Sequence, residues 1–133
     1  MGIELSKQAI DVGIVTTDLA EMRAFYVDAL GFVPDEPSHH PGAGTILRLS
    51  VGESILRLLE VEAAPAHRSP EGLRDATGLR FLTLSVTDID AAHLVCLEAG
   101  AVVSGAPYEL AAGIWTFRSQ DPDGNWIEFT ARR

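Results

Sequence analysis

The chain has 133 residues, 47% of them hydrophobic and 22% charged, with a single cysteine. That length and balance describe one folded domain able to bury about two-thirds of its unfolded surface without metals or disulfides, and they exclude wholesale disorder. The formal charge is −9, from 19 acidic against 10 basic side chains. With its arginines scattered, such a chain would repel a phosphate backbone, so no nucleic-acid partner is expected. The acidity favours cationic or amphipathic small molecules, or serves solubility alone. No apolar run approaches the roughly 20 residues of a membrane helix. The opening MGIELSKQAI lacks the basic start and apolar stretch of a signal peptide, and Cys96 has no partner for an intrachain disulfide. The expected setting is cytoplasmic, with no membrane partner.

In chain order, Ile10–Thr16 reads as a strand. Asp18 then caps a helix, with Glu21 three residues on in a capping-box arrangement. Leu19, Met22, Tyr26 and Leu30 supply one apolar face at helical spacing, and Gly31 stops the helix. Phe32–Asp35, Thr45–Val51 and Ser54–Val61 read as strands, the last two joined across a turn at Gly52-Glu53. His39 and His40 fall in a loop. Glu62–Gly78, rich in Ala, Pro and charge, reads as a linker with one helical turn at Pro70–Ala76. Arg80–Val86 is a strand, Ile89–Ala99 a helix, and Val102–Ser104, Ile114–Ser119 and Asn125–Ala131 are strands. Asp121-Pro122-Asp123-Gly124 makes a tight hairpin turn.

This order repeats. DVGIVTTDL from Asp11 matches FLTLSVTDI from Phe81 at a spacing of 70 residues, aligning Thr17 with Thr87 and Asp18 with Asp88. Each half therefore reads strand, helix, three strands, with module one at about 8–62, the linker at about 63–78 and module two at about 79–133. In the first strand Val12, Ile14 and Thr16 suit the helix side, while Asp11, Gly13 and Val15 face the other way. A sheet face that its own helix leaves bare must cover something else. Two such sheets curling toward each other would enclose a cup for a small molecule.

DVGIVTTDLAEMRAFYVDALGF (Asp11–Phe32) and the closing DPDGNWIEF (Asp121–Phe129) resemble the vicinal oxygen chelate superfamily, which includes glyoxalases, bleomycin-resistance proteins and extradiol dioxygenases. The resemblance covers nearly the whole chain. It implies an α+β fold of two tandem βαβββ modules whose curved sheets form a cup-shaped pocket. It also implies, in members with metal chemistry, four ligand positions that fall here on Asp11, Arg57, Phe81 and Glu128. Only Glu128 keeps the pattern. Phe81 cannot ligate, and Arg57 is a permanent cation that repels a divalent ion. No cofactor is therefore expected. A divalent metal would have to rest on Asp11 and Glu128 with a histidine swung in from His39, His40 or His67, because His93 lies on the second helix.

The expected ligand-binding set is Asp11, Val15, Arg57, Phe81, Thr83, Trp115, Phe117 and Glu128. In one reading Asp11 and Glu128 sit together and one carboxyl is raised to act as a general acid. In the other, Arg57 neutralises them and the cluster only shapes the pocket. Asp121-Pro122-Asp123-Gly124-Asn125 begins like a calcium loop but has Trp126 where glycine is needed. Cys96 falls on the apolar face of its helix and reads as a small buried hydrophobe. The resemblance points to a homodimeric, metal-independent protein of the bleomycin-resistance type, sequestering a bulky aromatic or cationic ligand as in antibiotic resistance. The alternative is a glyoxalase-like lyase or isomerase with Asp11 and Glu128 as catalytic residues, and a dioxygenase is the more distant option.

Overall fold

Two aspartates start the two main helices. In the computed structural model, which describes residues 2–133, the Asp18 carboxylate accepts the Glu21 N–H and the Asp88 carboxylate accepts the Ala91 N–H. Each satisfies an otherwise orphaned donor of the first turn. The chain divides into two compact units, one ending at Ala66 and the next beginning at His67.

In the first unit, β1 (Val12–Thr16) is followed by α1 (Leu19–Arg23), which runs on as a π-helical stretch over Ala24–Ala29. The sequence spacing predicts an unbroken α-helix here. The wider turn puts the consecutive residues Phe25 and Tyr26 both into the core, at 5% and 0% exposure, which a regular α-helical turn does not favour. Gly31, at φ +83°, closes the helix, and the Phe32 N–H reaches back to the Tyr26 carbonyl at 3.0 Å. Then come β2 (Val33–Pro34), β3 (Ser38–His40), β4 (Gly44–Val51) and β5 (Ser54–Val61). They form a sheet in the order β1-β5-β4-β2, with β3 also paired to β4. β1 runs parallel to β5, and the other pairs are antiparallel. The expected loop at His39-His40 is instead strand β3, because a short Pro41-Gly42-Ala43 connection folds Ser38–His40 back onto Gly44–Ile46.

The second unit contains β6 (Phe81–Ser85), α2 (Ile89–Glu98), β7 (Tyr108–Ala111), β8 (Ile114–Gln120) and β9 (Trp126–Arg132). The sheet order is β6-β9-β8-β7, with β6 parallel to β9. The strand expected at Val102–Ser104 shrinks to a bridge between Val103 and Ser119, and the fourth strand forms later, at β7. Asp121 holds the β8–β9 turn as expected. It is 4% exposed, and its carboxylate accepts the N–H groups of Asp123 and Asn125 and the Asn125 side-chain amide. The helical turn expected at Pro70–Ala76 reduces to one hydrogen-bonded turn, the Asp75 N–H donating to the Gly72 carbonyl at 3.1 Å, and no helix forms. Arg80 gathers the carbonyls of Pro70, Gly72 and Leu73 there into a pinned loop instead.

Both units are thus a sheet with one face under its own helix and one face open. Leu47, Leu49, Leu56 and Leu58 of the first sheet are buried on the helix side, as are Ile127 and Phe129 of the second. The α+β organisation of two βαβββ-like modules is the one expected from the repeat. No helix among the described residues is long and apolar enough to cross a membrane.

Candidate functional site

Strand register decides which side chains share an open face, because directly paired residues point the same way. In the first unit Gly13 pairs with Arg57 and Val15 with Leu59, while Arg57 in turn pairs with Arg48. Gly13, Val15, Arg48 and Arg57 therefore lie on the side away from α1. Val15 is 52% exposed there. Asp11 sits just ahead of β1 and is held on three sides. Lys7 Nζ lies 2.7 and 2.9 Å from its two oxygens, the Ile55 N–H donates at 2.8 Å, and the Arg57 guanidinium stands at 4.0 Å. The bond from Lys7 holds the Asp11 carboxyl below the usual aspartate value, with the Ile55 N–H and the charges of Lys7 and Arg57 acting in the same direction. Asp11 is thereby kept ionised, the opposite of the raised carboxyl that general-acid catalysis by this residue requires.

In the second unit Phe81 pairs with Trp126, Thr83 with Glu128, and Glu128 with Arg118. These residues share the open face. The Thr83 hydroxyl donates to Glu128 Oε1 at 3.2 Å, and Phe81 presents half its surface to solvent. Trp126 is steadied by its indole N–H, which donates to the Glu71 carbonyl at 2.9 Å. The sequence leaves Trp126 open between core, dimer interface and stacking wall, and gives no sign of Arg118. Strand parity places each, since each lies an even number of residues from Glu128 along its strand or directly across from it.

Two expected lining residues lie elsewhere. Phe117 is 1% exposed and stacked on Phe129 at 4.7 Å, with the His93 ring edge-on at 5.1 Å. It is a core residue under α2 rather than a wall of the open face. Trp115 shares its parity and carries the Arg133 guanidinium 4.5 Å over its ring. The two belong to the odd-numbered, helix-side row of β8, whereas Thr116, Arg118 and Gln120 form the open-face row.

At the four positions where the resemblance implies metal ligands, the residues present do not fit a metal. Arg57 and Phe81 occupy two of them, and Asp11 is committed to Lys7 and Ile55. Nor do the histidines repair the set. His39 bonds Thr45 at 3.1 Å and stands 3.6 Å from the Glu62 carboxylate, and His40 bonds Ser38 at 3.2 Å. His67 is exposed in the linker. Among the described residues no three His, Cys, Asp or Glu side chains are grouped to hold a metal ion. Cys96 is fully buried, and that burial pushes its thiol pKa up, only partly offset by a bond from Ser119. It is an inert thiol rather than a nucleophile.

The sequence pattern of the Glyoxalase/Bleomycin resistance protein/Dioxygenase superfamily matches residues 9–129. The chain belongs to this superfamily. Over 90 residues it is 37% identical to the uncharacterized protein YaeR of Escherichia coli (strain K12), a match covering 65% of this chain and 66% of that relative's length. The superfamily fold also appears in the crystal structure of SMU.1112c, with a TM-score of 0.79 and 27% identity over 95% of this chain and 99% of that one. A glyoxalase family protein from Enterococcus faecalis has the same fold, with a TM-score of 0.71 and 24% identity over 91% and 93% of the two chains. A superfamily fold hosts several chemistries, so the open faces, rather than the fold, carry the functional argument.

Proposed function

We infer that this superfamily member binds a small molecule noncovalently and without turnover, in the manner of a bleomycin-resistance protein, and that the ligand presents a planar aromatic or cationic group. One observation carries the reading. The open face of the second unit sets the half-exposed Phe81 ring and Trp126 beside the Glu128 carboxylate, with the Thr83 hydroxyl bonded to it. An aromatic surface next to an anion offers stacking and charge neutralisation to one ligand. The positions where metal-dependent relatives would hold an ion carry Phe81 and Arg57, which supply neither a ligand atom nor a tolerable charge.

The reading also has the chain act as a homodimer, since both open faces leave apolar surface such as Val15 and Phe81 in need of cover. Sedimentation velocity should then give twice the chain mass.

The direct test is calorimetric titration of the protein with bleomycin and with berberine, a smaller planar aromatic cation, followed by mass analysis of the recovered ligand. Saturable binding of either, with the ligand recovered intact, is the expected result. Phe81→Ala and Glu128→Gln should each weaken it about tenfold, which corresponds to about 1.4 kcal/mol. Steady conversion of glyoxalase substrates, lost in Glu128→Gln, would overturn this reading in favour of a lyase or isomerase.

A further inference from the structure

The first sheet places two arginines where an ordinary sheet avoids them. Arg48 on β4 and Arg57 on β5 are directly paired across the antiparallel ladder and share the open face. Like charges in this relation destabilise a sheet. The second unit shows the ordinary solution at the matching place, where Arg118 stands directly across from Glu128. Arg57 has a distant counter-charge in Asp11 at 4.0 Å, but that carboxylate is already bound by Lys7 at 2.7 Å and by the Ile55 N–H. Arg48 has none. Asp35 lies on the neighbouring edge and its N–H bonds the Arg48 carbonyl at 2.9 Å, yet no carboxylate among the described residues forms an ion pair with the Arg48 guanidinium.

A second observation lies on the other side of Arg57. Gly13 pairs with it from β1, in the interior of a strand, where glycine costs stability. Neither the backbone nor the packing demands glycine there. Its φ is not positive, and a Cβ built on it would meet nothing within 4 Å. The strand thus leaves its surface open beside Arg57, in a chain of net charge −9.

We propose that the Arg48–Arg57 pair, with the open surface at Gly13, is a binding site for an anionic group of a small molecule, a carboxylate or a phosphate. Guanidinium forks bind both through paired N–H donors. The bound anion relieves the repulsion that the sheet otherwise carries. This site stands on the first unit and on different residues from the aromatic face described above, so either can fail without the other.

Side-chain Nε–Hε signals of the arginines, followed by NMR during titration of the full chain with inorganic phosphate and separately with benzoate, test the proposal against chloride at matched ionic strength. The Arg48 and Arg57 signals should shift saturably with at least one anion, and which anion does so separates a phosphate-bearing from a carboxylate-bearing ligand. Arg48→Gln should weaken that binding at least tenfold, Arg68→Gln in the exposed linker should leave it unchanged, and Asp35→Asn should strengthen it. A purely structural Arg48 would lower the melting temperature when replaced. The site predicts instead that Arg48→Gln melts higher than wild type without anion and loses that advantage with it. No shift beyond chloride with either anion, or wild-type affinity in Arg48→Gln, would overturn the proposal. A lower melting temperature of Arg48→Gln without anion would overturn it too.

Discussion

Asp11 is a carboxylate already committed to partners within its own unit. It stands just ahead of the first strand, where the resemblance implies a metal ligand, but its oxygens are taken by Lys7 and the Ile55 N–H. Its carboxyl is held below the ordinary aspartate value of 3.8. A depressed carboxyl contributes stability that is complete above the unfolded-state value and is lost as the pH falls through the lower folded-state one. Asp11→Asn is therefore expected to be less stable than wild type at neutral pH and to lose less on acidification. Denaturant midpoints measured across the acid range check this, and parallel curves for the two proteins would refute it. The sequence showed that Asp11 was polar and aimed away from the helix. It did not show that Lys7, in a segment with no strand or helix pattern, would be its nearest partner.

At the scale of elements, the two phenylalanines expected to line a cup part company. Phe117 fills the space between β8, β9 and α2, against Phe129 and His93, so Phe117→Ala should cost about 3–5 kcal/mol. Phe81 stands on the open face, and Phe81→Ala should change stability by no more than about 1 kcal/mol while weakening ligand binding about tenfold. Urea unfolding of both variants decides the matter. A large loss in Phe81→Ala would mean that this face is packed rather than free to bind. The caps at Asp18 and Asp88, the helix stop at Gly31 and the Asp121 turn were all legible, because each rests on chemistry local to a few residues. β3, β7 and the π-helical stretch were not. Their formation depends on what lies across the sheet or beneath the helix, and residue spacing carries no record of it. The parity of Trp115 and Phe117 was lost for the same reason, since a strand's phase is set by its partner.

At the scale of the whole chain, the segment joining the units is exposed from Glu62 to Glu71. From there Arg80 pins the carbonyls of Pro70, Gly72 and Leu73. Trypsin should therefore cut first after Arg68, in the unpinned stretch, and more slowly after Arg74 and Arg80. Mass spectrometry of a brief digest would show two fragments of nearly equal length, and early cleavage inside either sheet would contradict the division at Ala66 and His67.

The two sheets also carry matching stations. Gly13, Arg57 and Arg48 stand in the first where Thr83, Glu128 and Arg118 stand in the second. The helix caps on the reverse side are the same aspartate in both. Foundation and decoration are thus written in separate residues. A combinatorial library confined to those six stations would vary the chemistry of both faces while leaving untouched the side chains that hold the chain together. The molecule is in that sense a two-register breadboard, rewired from one side of each sheet without disturbing the other.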